Sequence, residues 1–200
     1  MDPAEQLALA SKVALDVVDL LEGAGMKTAI GGAIAFGFWG PPRGTKDVDL
    51  NVFVGESRFE ELLAMLERGG CAPKLDREDW TPEDRLQFLR RLTEGDVAVV
   101  YKDHMRVDIF VPSIDFYSEA ERTLKEVPLR GRRVLVLSAE SITIFKLLFF
   151  RDKDLVDVRR LVALQGAALD RAYVRDQLVS MVGPDDERIA AWDEIVKTHS

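Results

Sequence analysis

The sequence predicts an α+β protein, built as a small mixed β-sheet with helices on one side followed by a C-terminal helical bundle. Two observations predict this class. Strand-like segments alternate with helical ones only up to residue 137, and everything from 138 to 200 reads as helix. No linker rich in Pro, Gly or Ser separates the two parts, so a core of residues 1–137 and a helical region of residues 138–200 are expected to pack together.

The elements follow in order. Leu7, Ala10, Ala14, Val17 and Leu21 recur at helical spacing, which predicts an amphipathic helix over about 4–22, stopped by Gly23 and Gly25. The short apolar run Thr28-Ala29-Ile30 ends in Gly31-Gly32, and Ala33 to Trp39 reads as helix until Gly40-Pro41-Pro42 breaks it. Residues 46–54 alternate, with Val48, Leu50, Val52 and Val54 on one face and Asp47, Asp49 and Asn51 on the other, the mark of a strand with one buried face. Phe59, Leu62, Leu63 and Leu66 predict a helix over about 56–68, and Thr81-Pro82-Glu83 opens another over 82–93. Val97–Tyr101 and Met105–Val111 read as two strands joined by a Lys102-Asp103-His104 turn, with Arg132–Leu137 as a further strand. Ser138 is a natural N-cap for a helix over Glu140–Phe150, and more helices are expected over about 154–165, 170–181 and 185–197.

The chain has 200 residues, 47% hydrophobic and 31% charged, with a net charge of -8. That composition fits a folded domain rather than a disordered chain. No apolar run is long enough to span a bilayer and the start shows no signal-peptide pattern, so a cytoplasmic location with no membrane partner is expected. Cys71 is the only cysteine, which excludes an internal disulfide and a cysteine-based metal site. The acidic balance disfavours broad nucleic-acid binding, which needs a basic face. Arg130, Arg132 and Arg133, or Arg90 with Arg91, read best as solvated surface charge.

Four features in chain order carry chemistry. Gly31-Gly32 stands between a short strand and a helix, where missing side chains let a phosphate approach backbone N–H groups at a positive dipole end. Arg43-Gly44-Thr45-Lys46 precedes the acidic strand. Asp47 and Asp49 project from one strand face, on the order of 7 Å apart, and two like charges so placed favour a divalent cation with oxygen ligands. Asp108 lies on a later strand, in Arg106-Val107-Asp108-Ile109-Phe110, and points the same way as Arg106 and Phe110. Should its strand pair beside that of Asp47, three carboxylates converge, enough to hold two Mg²⁺ ions around a phosphoryl group. Taken singly, each motif has a plainer reading: two glycines usually just turn the chain, and an isolated Asp-x-Asp is usually a solvated face.

Together, Gly31-Gly32, the helix after it, Arg43-x-Thr45, Asp47-Val48-Asp49-Leu50 and the later Asp108 resemble the DNA polymerase β-type nucleotidyltransferase superfamily. The closest likeness is to small bacterial nucleotidyltransferases of the AbiEii-type toxin group. Lys146 on a helix after the core, then Arg151-Asp152-Lys153-Asp154 and Asp157, extends the resemblance, which covers about residues 26–165. Fourteen residues separate Gly32 from Asp47, at the long end of the family pattern, with Gly40-Pro41-Pro42 as the place for an insertion.

The resemblance implies a nucleotidyltransferase fold and transfer of a nucleoside monophosphate from a nucleoside triphosphate, with release of pyrophosphate. Asp47, Asp49 and Asp108 would be catalytic and would hold two Mg²⁺ (or Mn²⁺), Asp108 doubling as general base. Gly31, Gly32, Arg43, Thr45 and Lys146 would bind the nucleotide. The acceptor would be an RNA end such as that of tRNA, a protein hydroxyl or a small molecule, and a toxin role would add an antitoxin partner. Two other functions stay open: a catalytically inactive nucleotide- or partner-binding module of the same fold, and a metal-dependent phosphohydrolase.

Other residues carry less. His104 and His199 have no companion ligands at zinc spacing. Phe145, Phe149 and Phe150 are expected to fill the join between core and tail, and Trp39 and Trp80 to pack rather than stack on a base. Asp152, Asp154 and Asp157 lack the glycine and terminal glutamate of a calcium loop.

Overall fold

The computed structural model describes residues 2–199. Helix α1 (Pro3–Gly23) starts as its sequence dictates: Asp2 and Glu5 form a reciprocal capping box with Pro3 in the first turn. Its buried stripe of Ala10, Val13, Ala14, Val17, Val18 and Leu21 covers the sheet. Strand β1 (Thr28–Ile30) leads through Gly31 into helix α2 (Gly32–Trp39), and strand β2 (Asp47–Val52) follows. A single 3₁₀ turn at Glu56–Arg58 precedes α3 (Phe59–Arg68). Next come α4 (Pro82–Thr93), β3 (Ala98–Lys102) and β4 (Met105–Phe110). The β3–β4 turn places Asp103 and His104 both at positive φ, the backbone of a tight hairpin.

Among the described residues the sheet has six strands in the order β3-β4-β2-β1-β6-β5, where β5 is Lys125–Leu129 and β6 is Arg132–Val136. It is mixed: β2 runs parallel to β4 and β1 to β6, while the other pairs are antiparallel. Val48, Leu50, Val107 and Ile109 are fully buried on one face, and Asp47, Asp49, Arg106 and Asp108 occupy the other. One continuous core runs from the α1 stripe through this apolar face to Trp192 and Ile195 near the C-terminus.

Helix α5 (Phe116–Arg122) and strand β5 are absent from the periodicity reading. Helix α5 is short and no side chain caps its start. In β5 only Val127 is buried, and Pro128 disguises the strand; an edge position tolerates proline, which has no N–H to donate, because no further strand pairs on that side.

The tail comprises α6 (Ala139–Phe149), α7 (Asp152–Gln165), α8 (Arg171–Val182) and α9 (Glu187–Thr198). Ser138 caps α6 by accepting the Ser141 N–H, as expected. Phe150 ends α6 in a left-handed conformation at φ 54. Of the three tail phenylalanines, Phe145 packs against Phe116 and Tyr117, but Phe149 is 52% exposed rather than filling the join. Trp39 and Trp80 both donate their indole N–H to backbone carbonyls, of Leu137 and Cys71.

A buried ion-pair chain locks the tail to the core. Lys146 Nζ lies 2.8 Å from Asp157 and 3.4 Å from Asp154. Arg151 closes on Asp154 at 2.5 Å, and Arg43, ahead of β2, reaches Asp157 at 3.2 Å. The ammonium of Lys146 also sits 5.6 Å from the centre of the Phe36 ring. Removing one partner strands a buried charge. Asp157→Ala is therefore expected to lower unfolding free energy by about 3–5 kcal/mol in urea titration. Asp157→Leu combined with Lys146→Met should recover much of that loss.

Candidate active site

The register of β2 against β4 builds the site. Asp47 lies opposite Arg106 and Asp49 opposite Asp108, all on the same face of adjacent parallel strands. Strands stand about 4.8 Å apart and alternate residues about 6.6 Å apart, so these four side chains form the corners of a small square. Three corners are carboxylates and one is a guanidinium.

Each carboxylate meets a different environment. Thr45, itself buried, donates its hydroxyl to Asp47 Oδ1 at 2.5 Å, which orients the first carboxylate. Asp108 receives Arg106 in a two-point pair, Nε to Oδ1 at 2.6 Å and Nη2 to Oδ2 at 3.3 Å. Asp49 is half-buried and its carboxylate accepts no hydrogen bond among the described residues. Burial, then the charges of Asp47 and Asp108, push its carboxyl up to about 7, against the pull of Lys146 and Lys153. Burial also raises Asp108, with Arg106 opposing.

The glycine turn is fitted to this strand. A β-carbon at Gly32 would overlap the Asp49 carboxylate, and one at Gly31 would come 2.8 Å from Asn51 Nδ2. Gly32 also sits at φ +52. The Gly31 N–H, expected to face a phosphate, is instead committed to the Asp49 carbonyl at 2.8 Å. The N–H of Gly32 and the next turn of α2 remain at the open helix end. The long Gly32–Asp47 connection thus leaves the turn against Asp49.

The other expected nucleotide-binding residues are placed as follows. Thr45 is spent on Asp47. Arg43 is 40% exposed at its side chain and leans on Asp157. Lys146 is buried between Asp154 and Asp157, so its charge reaches Asp49 while its ammonium stays in the ion-pair chain. Besides Arg106, exposed cations whose charge acts at the carboxylates are Arg151, felt with Asp47 and Asp49, and Lys153. Arg151 stacks 5.0 Å from the centre of the exposed Phe149 ring. In the sequence, the signal for Arg151 and Lys153 was the charged run Arg151-Asp152-Lys153-Asp154 after the Lys146 helix, which extends the resemblance without giving either residue a role. A separate cleft of about 460 Å³, lined by Phe53, Phe59, Leu92 and Glu94, lies past the other end of β2 and holds none of these carboxylates.

Among the described residues no three acidic, His or Cys side chains are grouped closely enough to hold a metal ion. Asp108 is turned to Arg106 and Asp47 to Thr45. The donor set nonetheless suits a hard divalent cation: all-oxygen ligands on one face, with the central carboxylate crowded and lacking a donor.

No protein-family model and no curated protein matches this chain. Solved structures do. A solution structure of the antibiotic-resistance factor ANT(2'')-Ia aligns at a TM-score of 0.56 and 16% identity, covering 96% of this chain and 99% of that one. A crystal structure of ANT(2'')-Ia in complex with adenylyl-2''-tobramycin aligns at 0.55 and 18% identity, covering 86% and 97%. The α+β fold of this chain is therefore the nucleotidyltransferase fold. Among the described residues, no helix is long and apolar enough to cross a membrane.

The raised Asp49 makes a prediction for metal-free protein. The folded state holds that proton up to about pH 7 while the unfolded chain releases it near the usual carboxylate value, so stability falls as pH rises between the two. Asp49→Asn should accordingly raise the melting temperature in chelator by several degrees at pH 8 and by clearly less at pH 5. An equal gain at both values would show that Asp49 is not crowded.

Proposed function

We propose that this chain is a divalent-metal-dependent nucleotidyltransferase that moves a nucleoside monophosphate from a nucleoside triphosphate to a hydroxyl acceptor. The observation that carries the reading is the direct register of Asp49 with Asp108, beside Asp47 and against the Gly31-Gly32 turn. Bound Mg²⁺, as two ions or with Mn²⁺ in place, would supply charge neutralisation at the transferring phosphoryl group and lower the acceptor's pKa.

The chain's own residues would do the rest. Asp47, Asp49 and Asp108 are the oxygen ligands, with Thr45 fixing the first of them. Asp108, at the β4 side of the square, is the base that takes the acceptor's proton. The Gly32 N–H and the open start of α2 receive the outer phosphates, and the absent Gly32 side chain leaves room for the Asp49 carboxylate beside them. Arg151 and Lys153, exposed at the rim, complement phosphate charge, and Arg43 braces the acidic strand through Asp157. Such transfer needs in-line geometry and charge neutralisation more than covalent help.

The acceptor we favour is a small hydroxyl-bearing molecule. A net charge of -8 disfavours long RNA contacts, and the ANT(2'')-Ia structure holds an adenylylated tobramycin. The AbiEii-like resemblance supports a different acceptor, a tRNA end or a protein, with an antitoxin as partner. A catalytically silent nucleotide-binding module is the second reading, favoured by the Asp108–Arg106 pairing.

Incubation with Mg²⁺, each α-labelled nucleoside triphosphate and a panel of aminoglycosides, tRNA and cell extract separates these readings. The expected result is pyrophosphate release with label on one acceptor, reduced at least about 100-fold by Asp49→Asn or Asp108→Asn. Release of inorganic phosphate alone would indicate a phosphohydrolase, and nucleotide binding without turnover a silent module.

A further inference from the structure

The fourth corner of the carboxylate square is occupied by a cation of the chain's own. Arg106 stands two residues from Asp108 on the same strand face and directly across from Asp47. It reaches Asp108 through two nitrogens, and both Asp108 and Asp47 act on its charge. Nothing else fixes it there: its side chain is 46% exposed, while that of Asp108 is 13% exposed. The guanidinium side of the pair is open to solvent, so another cation can reach the carboxylate and exchange with it. Among the described residues the three carboxylates, with Asp108 turned to Arg106, form no ready metal cage.

We infer that Arg106 is the resident counter-cation of this site and that a divalent metal ion must displace its guanidinium from Asp108 in order to bind. The inference rests on the metal-site reading above. The empty site is kept charge-compensated by Arg106, so the strands can form without metal. Metal and guanidinium then compete for one carboxylate. On metal binding, Arg106 swings off Asp108 while staying anchored opposite Asp47, on the open side of the square, where an incoming anionic group would meet it. Arg106 acts through Asp108 and is a positioning residue.

The test is Mn²⁺ binding without substrate, read by the electron paramagnetic resonance of free Mn²⁺, for wild type, Arg106→Ala, Arg106→Lys, Asp108→Asn and the Arg106→Ala/Asp108→Asn double variant. Because Arg106 is half-exposed, its variants should fold, and melting curves in chelator check this. Arg106→Ala should bind Mn²⁺ about two- to fivefold more tightly than wild type, the size expected when one exposed ion pair no longer competes. Its Mn²⁺-induced rise in melting temperature should grow in step. Arg106→Lys, which keeps charge without the two-point fork, should fall between. In the Asp108→Asn background, Arg106→Ala should change affinity by less than about twofold, because the competed carboxylate is gone.

Equal or weaker Mn²⁺ binding by Arg106→Ala, or the same gain with and without the Asp108 carboxylate, would overturn the inference while leaving the metal site standing. Absence of Mn²⁺ binding in every protein would overturn both.

Discussion

Three carboxylates on two adjacent strands, held side by side against their own repulsion, are the constraint on which this molecule turns. The β2–β4 register sets Asp49 beside Asp108 with Asp47 one step along. Folding alone would not favour this, and burial makes it worse by raising Asp49. The surroundings offset it locally: Thr45 donates to Asp47, Arg106 pairs with Asp108, and Lys146 and Lys153 act from the tail. Asp49 alone is left without a donor, and it is the member pressed against the glycine turn. Strain of this kind concentrates where a ligand is to be held.

The apolar half of the fold serves that arrangement. Val48, Leu50, Val107 and Ile109 pin both acidic strands from behind, so neither can slip register without exposing its core face. The tail adds a second restraint. The Arg43–Asp157–Lys146–Asp154–Arg151 chain links the loop ahead of β2 to α6 and α7, which fixes where Arg151 and Lys153 stand relative to the carboxylates. Lys146 illustrates how one residue serves both structure and site, since it is buried in ion pairs and still contributes its field at Asp49.

Much of this was legible in the sequence because it depends on local periodicity. Alternation through residues 46–54 put the aspartates on one face, the Thr81 and Ser138 caps marked helix starts, and the glycine pair marked the turn. What the sequence concealed depends on contacts between distant segments or on single side-chain choices. Strand β5 exists because β6 offers it an edge, despite Pro128. The Gly31 N–H is taken by the Asp49 carbonyl, a bond that only the antiparallel β1–β2 pairing creates. The Asp154 and Asp157 carboxylates look like surface acids in a charged run, and only helix packing reveals them as the buried partners of Lys146. Arg106 was visible as a neighbour of Asp108, but its position as the fourth corner emerges only from the strand register.

The central claim is that these three carboxylates together ligate divalent metal at the glycine turn. A crystal structure of the protein with Mn²⁺ and a non-hydrolysable nucleoside triphosphate, analysed by anomalous scattering, tests it most directly. The account predicts Mn²⁺ peaks about 2.1 Å from oxygens of Asp47, Asp49 and Asp108, with the outer phosphates against the start of α2. Peaks bound elsewhere, or an Asp108 that ligates nothing while nucleotide is bound, would contradict it.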